Sequence, residues 1–348
     1  MGATDAGTGM IDGAGMIDAP PLLAPESALR LLRDTCAGSS WRVREVLEAE
    51  VVKERPGRRR TLRYRVVADR HGGAAREVTW YAKHYRSSRG QRVFWLLRSL
   101  GAVAPDVLVP EPIGFSPKLK LLVMSALEGS SLSETLGRSG NTDSSVGRVG
   151  RALAWVHGAE IPRCAESLRT YVPREEIDVL EGARRRASES PLPAQWAGPF
   201  MELCSLVEDK LAHCENQDLG QRRALGQTLL HRDLHPGQVI LPGDGAGIGL
   251  LDWDDAALGE PELDLGNLEA HLLLDDLQRR GSVRTAPLLI GALRAGYLAR
   301  GEISLARLAT YRRAALLRLA TLERLADPRI SVLDWAGLAS ALTEAASI

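Results

Sequence analysis

Several things are scarce in this 348-residue chain, and each scarcity narrows what the protein is. Its four cysteines, Cys36, Cys164, Cys204 and Cys214, form no CxxC pair and stand at no zinc spacing from a histidine. A disulfide scaffold and a structural zinc site are therefore not expected, and free thiols are. No apolar run reaches the roughly 18 residues that a membrane helix needs, and no basic stretch followed by an apolar one opens the chain. A cytoplasmic protein is the expectation. Lys+Arg and Asp+Glu both number 44, so no net field draws the chain to nucleic acid or to a membrane, and neither is expected as a partner. A Walker A sequence is missing, which excludes a P-loop enzyme. Lysine is rare: Lys53, Lys83, Lys118, Lys120 and Lys210 are the whole set.

What remains is ordinary for a globular protein, with 45% hydrophobic and 25% charged residues in a chain long enough for two domains. Residues 1–22, rich in Gly, Ala and Asp, with Gly-Met-Ile-Asp at 9–12 and again at 15–18, are expected to be a disordered tail. A short helix over Ala28–Arg33, with Ser27 as its cap, follows. Val43–Glu54, Thr61–Ala68 and Glu77–Tyr85 alternate apolar with polar residues and read as strands, the first two joined by a Pro56-Gly57 turn. Gln91–Leu100 carries helical spacing, and Leu119–Ser125 is a further apolar strand. Beyond Gly129 the chain turns helical, with Val146–His157, Glu175–Ala187, Phe200–Ala212, Ala286–Arg300 and Leu305–Ala326 as helices. A hairpin of Val239–Leu241 and Ile248–Leu251 interrupts them. The fold class is thus α+β and bilobal: 23–127 forms a small antiparallel-sheet lobe, and 128–348 a larger, mainly helical one.

The chemistry concentrates in Leu229–Leu265. His231-Arg232-Asp233 follows an apolar pair, Gln238 stands five residues past Asp233, and Asp252 closes the next apolar strand. A carboxylate on a loop, an amide and a second carboxylate are the groups that phosphoryl transfer to a hydroxyl needs. One accepts the hydroxyl proton and the others hold a divalent metal against nucleotide phosphates. Taken alone, Asp233 also suits a surface turn, and Asp252 also suits a helix cap.

The stretch resembles the aminoglycoside phosphotransferase and choline kinase family, on a protein-kinase-like fold. The resemblance is carried by His231, Asp233, His235, Pro236 and Gly237, then Leu251-Asp252-Trp253, Gly259, Pro261 and Asp264-Leu265, with an echo in Leu153-Ala154-Trp155-Val156-His157. It implies an enzyme using ATP (or GTP) and Mg2+ to phosphorylate a hydroxyl of a small molecule. Asp233 would be the catalytic base and Asp252 a magnesium ligand. His231, His235 and Asp264 would support the loop, and Lys83, Met124 and Ala126 would bind nucleotide. Gln238 replaces the family's usual asparagine, and serves either as a second metal ligand or as a loop brace. Lys83 is either the phosphate-binding lysine or one more exposed strand lysine. No acidic residue occurs between Glu77 and Asp106, so the usual glutamate partner of that lysine is missing. A catalytically weak nucleotide-binding scaffold is the alternative that this implies.

Two further readings concern ligands. The turn Glu54–Arg60 replaces a GxGxxG loop, and either covers nucleotide phosphates or is a solvated basic hairpin. The stretch from Val239 to Gln278 holds no Lys or Arg but many acids. Asp254, Asp255 and Glu260 are accordingly expected to attract a cationic acceptor such as an aminoglycoside or an amino alcohol, with a neutral sugar, a nucleoside or a peptide antibiotic left open, while Asp275 and Asp276 read as a solvated helix face.

Overall fold

Alternating side chains over residues 41–85 fold into three long antiparallel strands: β1 (Trp41–Arg55), β2 (Arg59–Arg70) and β3 (Arg76–Tyr85). The structure, a computed structural model, describes residues 22–55, 59–103, 106–137, 142–165, 168–189, 194–217, 227–243, 245 and 247–326. Chain contacts divide it into two compact units, Met1–Glu128 and Gly129–Ile348.

In the first unit, helix α1 (Pro25–Thr35) precedes the three strands, and helix α2 (Arg89–Val103) follows them. The short β4 (Val107–Leu108), then β5 (Pro112–Ser116) and β6 (Leu121–Ser125), complete it. The five-stranded sheet runs in the order β1-β2-β3-β6-β5. Leu62, Tyr64, Val66 and Ala68 point from one face of β2 into the core, where they meet Leu32, Trp80, Ile113 and Val123. Each large side chain so buried contributes about 1.5–3 kcal/mol. Two sequence expectations change here. Leu22, assigned to the tail, is buried, and its carbonyl accepts the Tyr64 hydroxyl (2.9 Å). Helix α1 starts at Pro25 rather than after Ser27, because a proline's fixed φ and missing N–H suit the first helical turn. Residues 1–21 and the Pro56-Gly57 turn lie outside the described residues.

The second unit holds β7 (Ser130–Ser131), α3 (Leu132–Leu136), α4 (Thr142–Gly158), α5 (Pro173–Glu189) and α6 (Ala194–Gln217). The strands β8 (Thr228–Leu230), β9 (Val239–Leu241), β10 (Ile248–Leu250) and β11 (Ala257–Gly259) follow. Helices α7 (Pro261–Arg280), α8 (Ala286–Leu298) and α9 (Leu305–Ala326) close it. Two small antiparallel pairings, β8 with β11 and β9 with β10, frame the loop between β8 and β9. Gly243, Gly245 and Gly247 belong to the β9–β10 connection, where Arg148 donates to the carbonyls of Gly245 (2.5 Å) and Gly247 (2.6 Å), and Gly249 lies in β10 opposite Ile240.

Helices α4 and α8 cross at backbone contact. A methyl group on Gly150 would strike the Leu293 carbonyl, and one on Gly296 would strike the Gly147 carbonyl. Gly296→Ala should therefore destabilise the protein by about 1–3 kcal/mol, as overpacking does. Urea denaturation measures it, and an unchanged midpoint would show that the helices slide apart freely.

Candidate active site

Asp264, four residues into α7 and fully buried, organises the loop after β8. Its two carboxylate oxygens accept consecutive backbone amides, Oδ2 from His231 (2.6 Å) and Oδ1 from Arg232 (2.7 Å). A third bond comes from His157 Nε2 at the end of α4 (3.2 Å), whose Nδ1 meets the Tyr297 hydroxyl (3.0 Å). Burial alone would raise the Asp264 carboxyl. The His157 hydrogen bond and charge, then His231, outweigh it and hold the group below the ordinary carboxylate range.

The clamp forces Arg232 into the left-handed region (φ 71°) and sets Asp233 on the loop, half-buried, at the edge of a cavity of about 350 Å³. His231 is buried with its ring on Trp253 (centroids 4.8 Å), and Nε2 lies 2.5 Å from the Leu251 carbonyl. Only a protonated nitrogen donates to a carbonyl, so Nε2 carries the hydrogen. This bond ties the loop to the residue before Asp252. The indole nitrogen of Trp253 donates to Leu250 (3.1 Å), so this tryptophan packs the loop from within.

His235 caps the short turn Pro236–Gln238, its Nδ1 accepting the Gly237 amide (3.1 Å), and its ring lies 5.3 Å from that of His271. Burial, then the nearby charges of His235 and Arg318, push His271 down to about 3, so it stays neutral. Gln238 accepts the Leu251 amide through its backbone oxygen (2.9 Å), and its side-chain nitrogen is 3.5 Å from Asp252 Oδ2. Asp252 itself is left-handed (φ 59°) and makes no side-chain cap to the turn Trp253–Asp255 that follows.

The donor set fits a hard divalent cation that keeps some of its ligands from water and phosphate. The Asp252 carboxylate and the Gln238 side chain converge, and a half-turn of the amide presents its oxygen in place of its nitrogen. Among the described residues, no three His, Cys, Asp or Glu side chains cluster at metal-binding distance.

In the first unit Lys83 sits on β3 opposite Leu122 of β6, and Met124 of β6 opposite Tyr81. Ala126 just beyond β6 donates its amide to the Thr79 carbonyl (3.0 Å). At the remaining basic turn, Arg60 pairs with Glu54 (2.6 Å).

The acids expected to draw a cation are largely engaged within the fold. Asp254 is buried, and Glu260 holds Arg307 (2.8 Å) and the Tyr311 hydroxyl (2.9 Å). Glu269 pairs with Arg294 and Arg312 (2.7 and 3.1 Å). Asp276 is no solvated residue: it accepts the amides of Arg284, Thr285 and Ala286 at the start of α8. Only Asp255 is exposed and lines the cavity beside Asp233. A sequence records charge but not the arginines of distant helices that consume it.

Several cavity residues escaped the sequence reading. Asn267 donates to the carbonyl of Leu234, next to Asp233 (2.7 Å), and accepts from Arg318 of α9 (2.6 Å). The i, i+3 spacing from Asp264 would have placed Asn267 on the same face of α7. Tyr171, Glu176 and Arg318 had no such signal, since they come from segments remote in the chain.

A family model described as "Phosphotransferase enzyme family" matches residues 51–317, most of the chain and all of the loop just described. The protein belongs to this phosphotransferase family. Among solved structures, a putative aminoglycoside phosphotransferase from Ralstonia eutropha JMP134 superposes with a TM-score of 0.57 at 14% identity, covering 94% of this chain and 96% of that one. The macrolide 2'-phosphotransferase MphH from Brachybacterium faecium gives 0.52 at 19% identity, with 91% and 98% covered. The amicoumacin kinase hAmiN, solved in complex with AMP-PNP, Ca2+ and Ami, gives 0.53 at 15% identity, with 86% and 88% covered. A search of curated protein sequences finds no significant match. The phosphotransferase thus shares the kinase-like α+β fold of these enzymes, and its family is one of small-molecule kinases acting on a hydroxyl acceptor. Among its described residues no helix is long and apolar enough to cross a membrane.

Proposed function

We propose that this phosphotransferase moves the terminal phosphoryl group of ATP or GTP onto a hydroxyl of a small molecule, with Asp233 as the base. The hydroxyl oxygen bonds to the terminal phosphorus as the bond from that phosphorus to the bridging oxygen breaks. The hydroxyl proton goes to the Asp233 carboxylate, and the nucleoside diphosphate leaves. Asp252 and Gln238 are the residues that would hold Mg2+, which when bound supplies charge to offset that of the phosphates. Lys83, Met124 and Ala126 are the proposed nucleotide contacts in the first unit. His231, His235 and Asp264 act through the loop rather than on the substrate.

One observation carries this reading: the single carboxylate of Asp264 takes two successive loop amides, and His231 fastens the same loop to Leu251. Asp233 and Asp252 are thereby set by one rigid network, which is what positioning for in-line transfer demands. A panel of hydroxyl compounds, scored by acceptor-dependent ADP release, tests it. Magnesium-dependent nucleotide binding with no release from any acceptor would favour a scaffold instead.

Asp252→Ala should weaken Mg·nucleotide binding by about tenfold to a hundredfold. Titration with a fluorescent nucleotide analogue at fixed magnesium checks this, and an unchanged affinity would remove Asp252 from the metal.

A further inference from the structure

The cavity beside Asp233 is walled by guanidinium groups. Arg232 lies with its Cζ 3.8 Å over the ring of Tyr171, and its Nε is buried without a hydrogen-bond partner among the described residues. Arg318 is fixed by Asn267, which is itself fixed to the Leu234 carbonyl. Neither arginine has a carboxylate at ion-pair distance among the described residues. The third arginine of the wall, Arg169, is already paired with Glu175 (2.7 Å).

Facing acids do not balance them. Glu176 accepts the Tyr171 hydroxyl (2.9 Å), and its burial raises its carboxyl above the ordinary range, opposed by the charge of Arg318, the Tyr171 hydrogen bond and the charge of Arg232. Besides Glu176, the acids of the lining are Asp233, which is reserved for the reaction, and Asp255. A guanidinium stays charged at any ordinary pH, and its planar fork matches a carboxylate in two parallel hydrogen bonds. Holding two such groups half-buried and unpaired is costly unless a ligand supplies the anion. The cavity is also at the small end of ligand sites.

We propose that the acceptor is a small hydroxy acid, whose carboxylate is gripped by Arg232 and Arg318 while its hydroxyl faces Asp233. This rests on the phosphotransfer reading above and replaces the cationic acceptor expected from the acidic stretch. Tyr171 orients Arg232 and Asn267 orients Arg318, so both forks are set before the ligand arrives.

Three sugars matched in ring and differing in charge, glucuronate, glucose and glucosamine, provide the test by calorimetry on the full chain saturated with Mg·AMP-PNP. The expected result is that glucuronate binds at least about tenfold more tightly than the other two. Arg318→Gln, which removes the charge, should erase that preference, while Arg318→Lys keeps part of it. Equal affinities, or a preference for glucosamine, would overturn the proposal. So would an Arg318→Gln variant that loses nucleotide as strongly as it loses glucuronate, because the arginine would then serve phosphate. Failure of the wild type to bind Mg·AMP-PNP at all would instead sink the phosphotransfer reading, and the ranking of the three sugars on the nucleotide-free protein would still decide the charge of the cavity.

Discussion

Asp233→Asn lowers kcat by about a hundredfold to ten-thousandfold, the range that a positioned general base supplies, and leaves Mg·nucleotide affinity nearly intact. The asymmetry follows from where the residue stands. Asp233 lines the cavity proposed for the acceptor, whereas the residues proposed for metal are Asp252 and Gln238. Asparagine keeps the size and the loop geometry, because the clamp on this loop acts through the amides of His231 and Arg232 and not through the Asp233 side chain. What it removes is the ability to take a proton. Steady-state kinetics with the identified acceptor, alongside a nucleotide titration, separates the two effects. A variant that retains most of its kcat would end the assignment of Asp233 as base.

Asp264→Asn acts on the same loop by a different route, and here the larger effect is on stability. The carboxylate is fully buried and serves His231, Arg232 and His157 together. An amide in its place turns an NH2 toward one of the two backbone N–H groups, leaving a buried donor unmet. Removing one member of a buried, charge-assisted network costs about 3–5 kcal/mol. The pH dependence has a definite sign. The folded carboxyl titrates below its unfolded value near 4, so its contribution is complete above that pH and disappears as pH falls through the lower folded value. The wild type should thus exceed the variant by the full margin at neutral pH, and the gap should close in acid. Urea denaturation at a series of pH values checks both the size and the closing, and a gap independent of pH would mean that Asp264 acts by shape alone.

How much of this was legible beforehand depends on the range of the interactions. The strands β1, β2 and β3 announce themselves through alternation, because one face meets a core and the other meets water. The family resemblance likewise sits in one dense stretch, where His231, Asp233, Asp252 and Asp264 follow one another within 35 residues. Residues brought in from elsewhere could not be read. Arg318 arrives from the last described helix, and Tyr171 from the segment before α5, and nothing local marks either as a neighbour of Asp233. The pairing of the acids of 239–278 was hidden for the same reason. Glu260, Glu269 and Asp276 look available in one dimension, but arginines and helix amides from later in the chain take them up in three.

Four residues other than glycine have a positive φ among the described residues, and two of them are Arg232 and Asp252. A side chain in that region costs about 1 kcal/mol or more relative to glycine, which adopts it freely. Glycine at either position would ease the backbone, yet it would delete a guanidinium from the cavity or a carboxylate from the proposed metal site. Selection for heat resistance alone would therefore drift toward glycine at 232 and 252, trading away function one substitution at a time. Any breeding of a hardier form of this enzyme has to screen for turnover at every round, or it will breed a sturdier protein with an emptied site.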